Sequence, residues 1–117
     1  MRVLIVDDSG PMRGKLTSSC SPLSRLKVVG HAKDGLEAIE LIRELKPDVI
    51  TLDIRMPRMS GIEVLKAIKA ERLDCVVIVL SGVIEAIYRQ KCLELGAKHV
   101  FEKATEFEKL MRVFRAM

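Results

Sequence analysis

The sequence contains no tryptophan, one tyrosine and three phenylalanines, so it lacks the row of rings on which single-stranded bases are commonly stacked. Nor is charge of one sign gathered into a block. Twenty basic and 16 acidic residues leave a net charge of +4, but Lys and Arg are dispersed among acids, without the basic stripe that tracks a phosphate backbone. No nucleic acid is expected as a direct partner of this chain. Cysteine is scarce: Cys20, Cys75 and Cys92 are odd in number and show no CxxC spacing, which argues against a disulfide framework or a zinc site and for buried, reduced thiols. Long apolar runs are missing. The first run, Val3 to Val6, is stopped after four residues by Asp7 and Asp8, too short for a signal peptide or a membrane span. The cytoplasm is the expected location, with no membrane contact. Linkers, repeats and shifts of composition are also absent, so residues 1–117 are expected to form one domain around one core.

What is present is an alternation of two apolar periods. Short continuous runs lie at Val3 to Val6, Lys27 to Val29, Val49 to Leu52, Val76 to Leu80 and Val100 to Phe101, as expected of strands buried on both faces. Between them apolar residues recur every three or four positions: Met12, Leu16, Cys20 and Leu23; Leu36, Ile39 and Ile42; Ile62, Leu65 and Ile68; Ile84 and Ile87; Phe107, Leu110 and Phe114. This spacing predicts five helices. Asp34 with Glu37, Ser60 with Glu63, and Thr105 with Glu108 each match a capping box at a helix start. Pro47 after Lys46 and Gly96 after Leu95 mark the ends of the second and fourth helices. Strict alternation predicts an α/β fold, a doubly wound (βα)5 unit with a five-stranded parallel sheet and helices on both faces. Ligands of such sheets bind outside the C-terminal ends of the strands.

Chemistry-bearing residues stand at those ends. The first strand finishes at Asp7 and Asp8, the third at Asp53, the fourth at Ser81, and the fifth at Glu102 and Lys103. Any one of them alone reads as a turn or helix cap. Together they place three carboxylates close enough to repel, and protonation or a bound cation is the usual remedy. Oxygen ligands at a partly open edge suit a hard ion such as Mg²⁺, which completes its coordination with water and phosphate oxygens. A lysine offsetting charge on a transferring phosphoryl group and a serine donating to its oxygens complete a site for phosphoryl transfer to a carboxylate.

These residues resemble the two-component response-regulator receiver family over nearly the whole chain. The motifs are VLIVDDS ending at Ser9, DVITLDIRMPRMSG from Asp48 to Gly61, the hydroxyl of VIVLSG, and the lysine of GAKHVFEK. The resemblance implies a flavodoxin-like receiver fold with strand order 2-1-3-4-5. It implies Asp53 as phosphoacceptor, with Asp7, Asp8, Asp53 and the backbone carbonyl of Arg55 holding Mg²⁺ or Mn²⁺. Lys103 would bind the phosphoryl group and Ser81 would turn toward it, remodelling the face of the fourth helix, fifth strand and fifth helix, where Tyr88, Lys91, Lys98 and Arg112 lie. The implied donor is a histidine kinase or phosphotransfer protein, and the recipient a downstream protein target. Catalysis would extend only to the chain's own phosphorylation and dephosphorylation.

Two positions depart from the family pattern. An aromatic residue often stands three places before the lysine, where this sequence has Val100, and Phe101 should face the opposite side of its strand. Ala104 follows the lysine where many members have proline, so a trans bond is expected there. Arg55, at the rim, is placed to obstruct or orient a hydrolytic water. Three alternatives stay open: a degenerate receiver that signals by binding alone, a metal-dependent aspartyl phosphatase, and a small-molecule binder of flavodoxin type. Against the last, Asp7 and Asp8 would repel a phosphate where a glycine-rich loop would cradle it. With no output module in the sequence, the signal is expected to leave through a partner, whether the chain is stand-alone, a relay intermediate or the receiver of a longer protein.

Overall fold

The computed structural model describes residues 1–117. Its elements run β1 (Arg2–Val6), α1 (Gly10–Cys20), β2 (Lys27–Ala32), α2 (Gly35–Leu45), β3 (Val49–Leu52), α3 (Gly61–Ala70), β4 (Val76–Ser81), α4 (Ala86–Glu94), β5 (His99–Glu102) and α5 (Phe107–Ala116). All strands are parallel, in the order β2-β1-β3-β4-β5. The strand order is the one the resemblance implies, with helices on both faces.

Strand alternation splits the core in two. Leu4, Val6, Ile50, Leu52, Val77 and Val79 point to one face, where residues of α2 and α3 and the single buried residue of α4, Cys92, cover them. Val3, Ile5, Val49, Ile78 and Leu80 point to the other, under Leu16 and Cys20 of α1 and Leu110, Met111 and Phe114 of α5. Each such buried aliphatic side chain contributes about 1.5–3 kcal/mol of transfer free energy. The central strand β3 is buried along its whole length, which explains its unbroken apolar reading.

Helix ends follow local chemistry. Asp34 and Ser60 cap α2 and α3 through the amides of Glu37 and Glu63, as their sequence pattern predicts. Lys46 closes α2 at φ 48° before Pro47, and Gly96 takes φ 104° after α4. The third capping box does not form: Glu106 occupies the cap position of α5 without a side-chain cap bond, and the Thr105 hydroxyl instead donates to Glu102. Two apolar stripes also differ from their reading. Leu36 is exposed, Ile84 lies in the loop before α4, and Ile87 is 72% exposed. Leu23 falls beyond α1 and packs against the core from the turn. Cys20 and Cys92 are buried free thiols, but Cys75 is only half-buried.

Candidate functional site

The sheet's hydrogen-bond ladder extends past the strand ends and fixes the site. The amide of Asp7 donates to Ala32 O at 3.0 Å, that of Asp53 to Val6 O at 3.0 Å, and that of Lys103 to Ser81 O at 2.7 Å. Asp7, Asp53 and Lys103 therefore each sit one residue beyond a paired strand, on main chain that its neighbour holds, and Ser81 is the last residue of β4.

Asp7 is buried. Its Oδ1 accepts the Ser9 amide at 2.8 Å, its Oδ2 accepts Lys103 Nζ at 2.7 Å, and its carbonyl accepts Arg13 Nη1 at 2.7 Å. Asp53, 4% exposed, accepts the Ser81 hydroxyl on Oδ1 at 2.5 Å and Lys103 Nζ on Oδ2 at 3.4 Å. Ser81 in turn accepts the Ile54 amide at 3.3 Å. Carboxylate oxygens of Asp7, Asp8 and Asp53 lie within 4.8 Å of one another, with Asp8 the exposed member. Burial pushes the Asp53 carboxyl above its ordinary value, the Ser81 hydrogen bond and Lys103 charge oppose this, and the neighbouring Asp7 charge adds to it. For Lys103, burial works to lower the pKa, but the Asp7 hydrogen bond and the Asp53 charge outweigh it and hold the ammonium raised.

The donor set fits a divalent cation. Three carboxylates against one ammonium leave two negative charges when all are ionised, and oxygen-only donors around an exposed member suit Mg²⁺. The carbonyl of Arg55 accepts no backbone hydrogen bond. Arg55 itself is exposed, and its side chain makes no ion pair. A cleft of about 480 Å³ opens here, lined by Asp8, Arg55 and Ser81 at its polar end and by Met56, Ile62, Val83 and Tyr88 beyond.

All the strand-end candidates but Glu102 converge on this edge. Glu102 turns aside and accepts the Ile84 amide at 3.3 Å. Sequence reading missed a brace on the loop between β3 and α3. Asp34, besides capping α2, pairs with Arg58 at 2.8 Å, and Arg58 stands at φ 66°. Gly61 donates its amide to Ile54 O at 2.8 Å, and a Cβ there would lie 2.2 Å from Asp53 O. The left-handed Arg58 carries no sequence signal. At the departures, Val100 is buried against the α2–α4 side and Phe101 packs on the opposite cluster, as alternation predicts. No peptide bond is cis.

An acid cluster with a lysine and a serine at the C-terminal edge of a doubly wound sheet defines a class of protein. Within that class, the family model described as the response regulator receiver domain matches residues 3–115, and the chain belongs to that family. A protein-glutamate methylesterase/protein-glutamine glutaminase of Thermotoga maritima is 53% identical over 81 residues, 69% of this chain and 24% of the relative. The crystal structure of the response regulator domain of Thermotoga maritima CheB matches with a TM-score of 0.85 and 39% identity, covering 100% of this chain and 97% of that one. Borrelia burgdorferi contributes a crystal structure of a CheX-CheY-BeF3-Mg²⁺ complex, matching with a TM-score of 0.85 and 32% identity over 97% of this chain and 89% of that one. The chain spans about a quarter of the length of the curated relatives it matches.

Proposed function

We propose that this receiver takes a phosphoryl group on Asp53 from the phosphohistidine of a kinase or phosphotransfer protein. The observation that carries the reading is the position of the Asp53 carboxylate, contacted by both Ser81 and Lys103 beside two further acids. In the transfer, an Asp53 oxygen attacks phosphorus in line, and the P–N bond breaks with its electron pair returning to the imidazole. Lys103 moves from its carboxylate partners to the equatorial oxygens, and Ser81, already turned inward, donates to one of them. Asp7, Asp8, Asp53 and the Arg55 carbonyl would hold Mg²⁺, which when bound draws charge from the phosphoryl oxygens. Before transfer, the Asp7 contact holds Lys103 protonated and aimed at the site.

Residues 1–117 act as one receiver unit in this reading, and the chain turns over no external substrate. Its output goes to a downstream protein. The methylesterase relatives favour a protein-glutamate methylesterase unit as that target. Three free thiols agree with a reducing cytoplasm, and no helix is long and apolar enough to cross a membrane. Incubation with Mg²⁺ and acetyl phosphate followed by intact-mass measurement tests the acceptor: one added phosphoryl group is expected on the unaltered protein and none on Asp53→Ala. An adduct that persists in Asp53→Ala rejects the assignment.

A further inference from the structure

The position where a rotating aromatic would connect the site to the surface holds Val100, which is packed into the core. A polar connection stands nearby. Arg89 of α4 donates through Nη1 to Val100 O at 2.5 Å, the carbonyl of the edge strand, and through Nη2 to Glu106 Oε1 at 3.0 Å. The same Glu106 oxygen accepts the amide of Glu102 at 3.1 Å. Glu102 also accepts the amide of Ile84, in the loop between Ser81 and α4, at 3.3 Å. Lys103, the next residue, donates its own amide to Ser81 O at 2.7 Å. One continuous set of hydrogen bonds thus joins the main chain at Lys103 to both ends of the segment from Ser81 to α4.

Helix α4 is the element such a connection can move. Cys92 is its only buried residue, its cap residue Glu85 makes no side-chain cap bond, and Ile87 and Tyr88 are exposed. With so little apolar anchorage, the two Arg89 hydrogen bonds are a large share of what seats it, and weakly seated elements open at the lowest free energy.

We propose that Arg89, Glu102 and Glu106 form a polar link that couples the state of Asp53 to the seating of α4. The link rests on the acceptor reading. A phosphoryl group on Asp53 replaces the carboxylates as the main partner of Lys103 and brings about two negative charges to it. Displacement of the strand end reaches Glu106 through the Glu102 amide, and Glu106 passes it to Arg89. Coupling of this kind travels through a contiguous hydrogen-bond network rather than through a swinging ring.

Tyr88 supplies the readout, because it is the only tyrosine and the chain has no tryptophan. It lies on α4 and lines the cleft, so its intrinsic fluorescence reports that helix and its edge of the site. The experiment follows Tyr88 emission and the mass adduct together after adding Mg²⁺ and acetyl phosphate to the unaltered protein, Arg89→Met, Arg89→Lys and Glu106→Gln. The expected result is an emission change that tracks the adduct in the unaltered protein. In Arg89→Met and Glu106→Gln the adduct still forms while most of the emission change is lost. Arg89→Lys recovers part of it, since an ammonium lacks the fork that spans two acceptors. A full emission change in labelled Arg89→Met and Glu106→Gln overturns the link, as does emission indifferent to labelling in the unaltered protein. Absence of an adduct in the unaltered protein overturns the acceptor reading instead, and the link with it.

Discussion

Asp53 is held between opposed effects. Burial and the Asp7 charge raise its carboxyl pKa, while Ser81 and Lys103 recover only part of the cost of ionising it. Because the folded-state pKa is raised, the folded protein binds more protons than the unfolded chain above the ordinary carboxylate value. Stability from this group is therefore complete below that value and is lost as pH rises through the folded pKa. Replacing Asp53 with Asn removes the loss. Thermal melts at pH 7 should show the variant more stable by roughly 1 kcal/mol, a few degrees in Tm. The gain should vanish below about pH 4, where both states carry a proton. A Tm difference that does not change with pH would contradict this origin. At this scale the sequence discloses Asp7, Asp8, Asp53, Ser81 and Lys103, because strand ends can be located from apolar runs and their next residues inspected. The pairs Arg58–Asp34 and Arg89–Glu106 were not legible: they join positions 24 and 17 residues apart, and no local pattern marks either.

Elements were predictable where one strong local signal stood alone, and less so where signals competed. Asp34 caps α2 because nothing else claims its Oδ1, Arg58 taking Oδ2, while the Glu37 carboxylate accepts the Lys33 amide rather than that of Asp34. Thr105 fails as a cap because Glu102 offers its hydroxyl an acceptor first and Glu106 starts α5. For α4, the spacing of Ile84 and Ile87 imitates a core stripe, yet the helix begins only at Ala86 and turns Ile87 to solvent. Helix α3 shows the reverse dependence, of the site on an element. Its first residue, Gly61, lies against the main chain of Asp53 and Ile54, and backbone cannot yield as a flexible side chain would. A Gly61→Ala variant should lose roughly 2–3 kcal/mol in urea unfolding, the cost of overpacking against fixed atoms. It should also acquire the phosphoryl adduct more slowly, since the strain falls on the acceptor's own carbonyl. Unchanged stability and labelling would show that the loop relaxes freely.

For the whole molecule, the acid cluster and the thiols together provide a measure of what a cation does to the fold. The three cysteines lie in different elements or loops, Cys20 on α1, Cys75 before β4 and Cys92 on α4. Burial raises all three thiols, Cys75 to about 11 with help from Asp74, so few thiolates are present at neutral pH, and alkylation of the buried Cys20 and Cys92 waits on opening of the fold. A cation held by Asp7, Asp8 and Asp53 binds only the folded arrangement, because Asp53 lies far along the chain from the adjacent Asp7 and Asp8 and meets them only when β1 and β3 pair. Mg²⁺ at about 100 times its dissociation constant should therefore add about 2.7 kcal/mol to stability and slow labelling of Cys20 and Cys92 by up to about 100-fold. Sodium chloride at matched ionic strength should not reproduce the effect, and Asp8→Asn, which removes the exposed ligand without disturbing the Lys103 contacts, should abolish most of it. Labelling rates that ignore Mg²⁺ would leave Asp7 and Asp53 paired with Lys103 alone and would take the cation out of the chemistry proposed at Asp53.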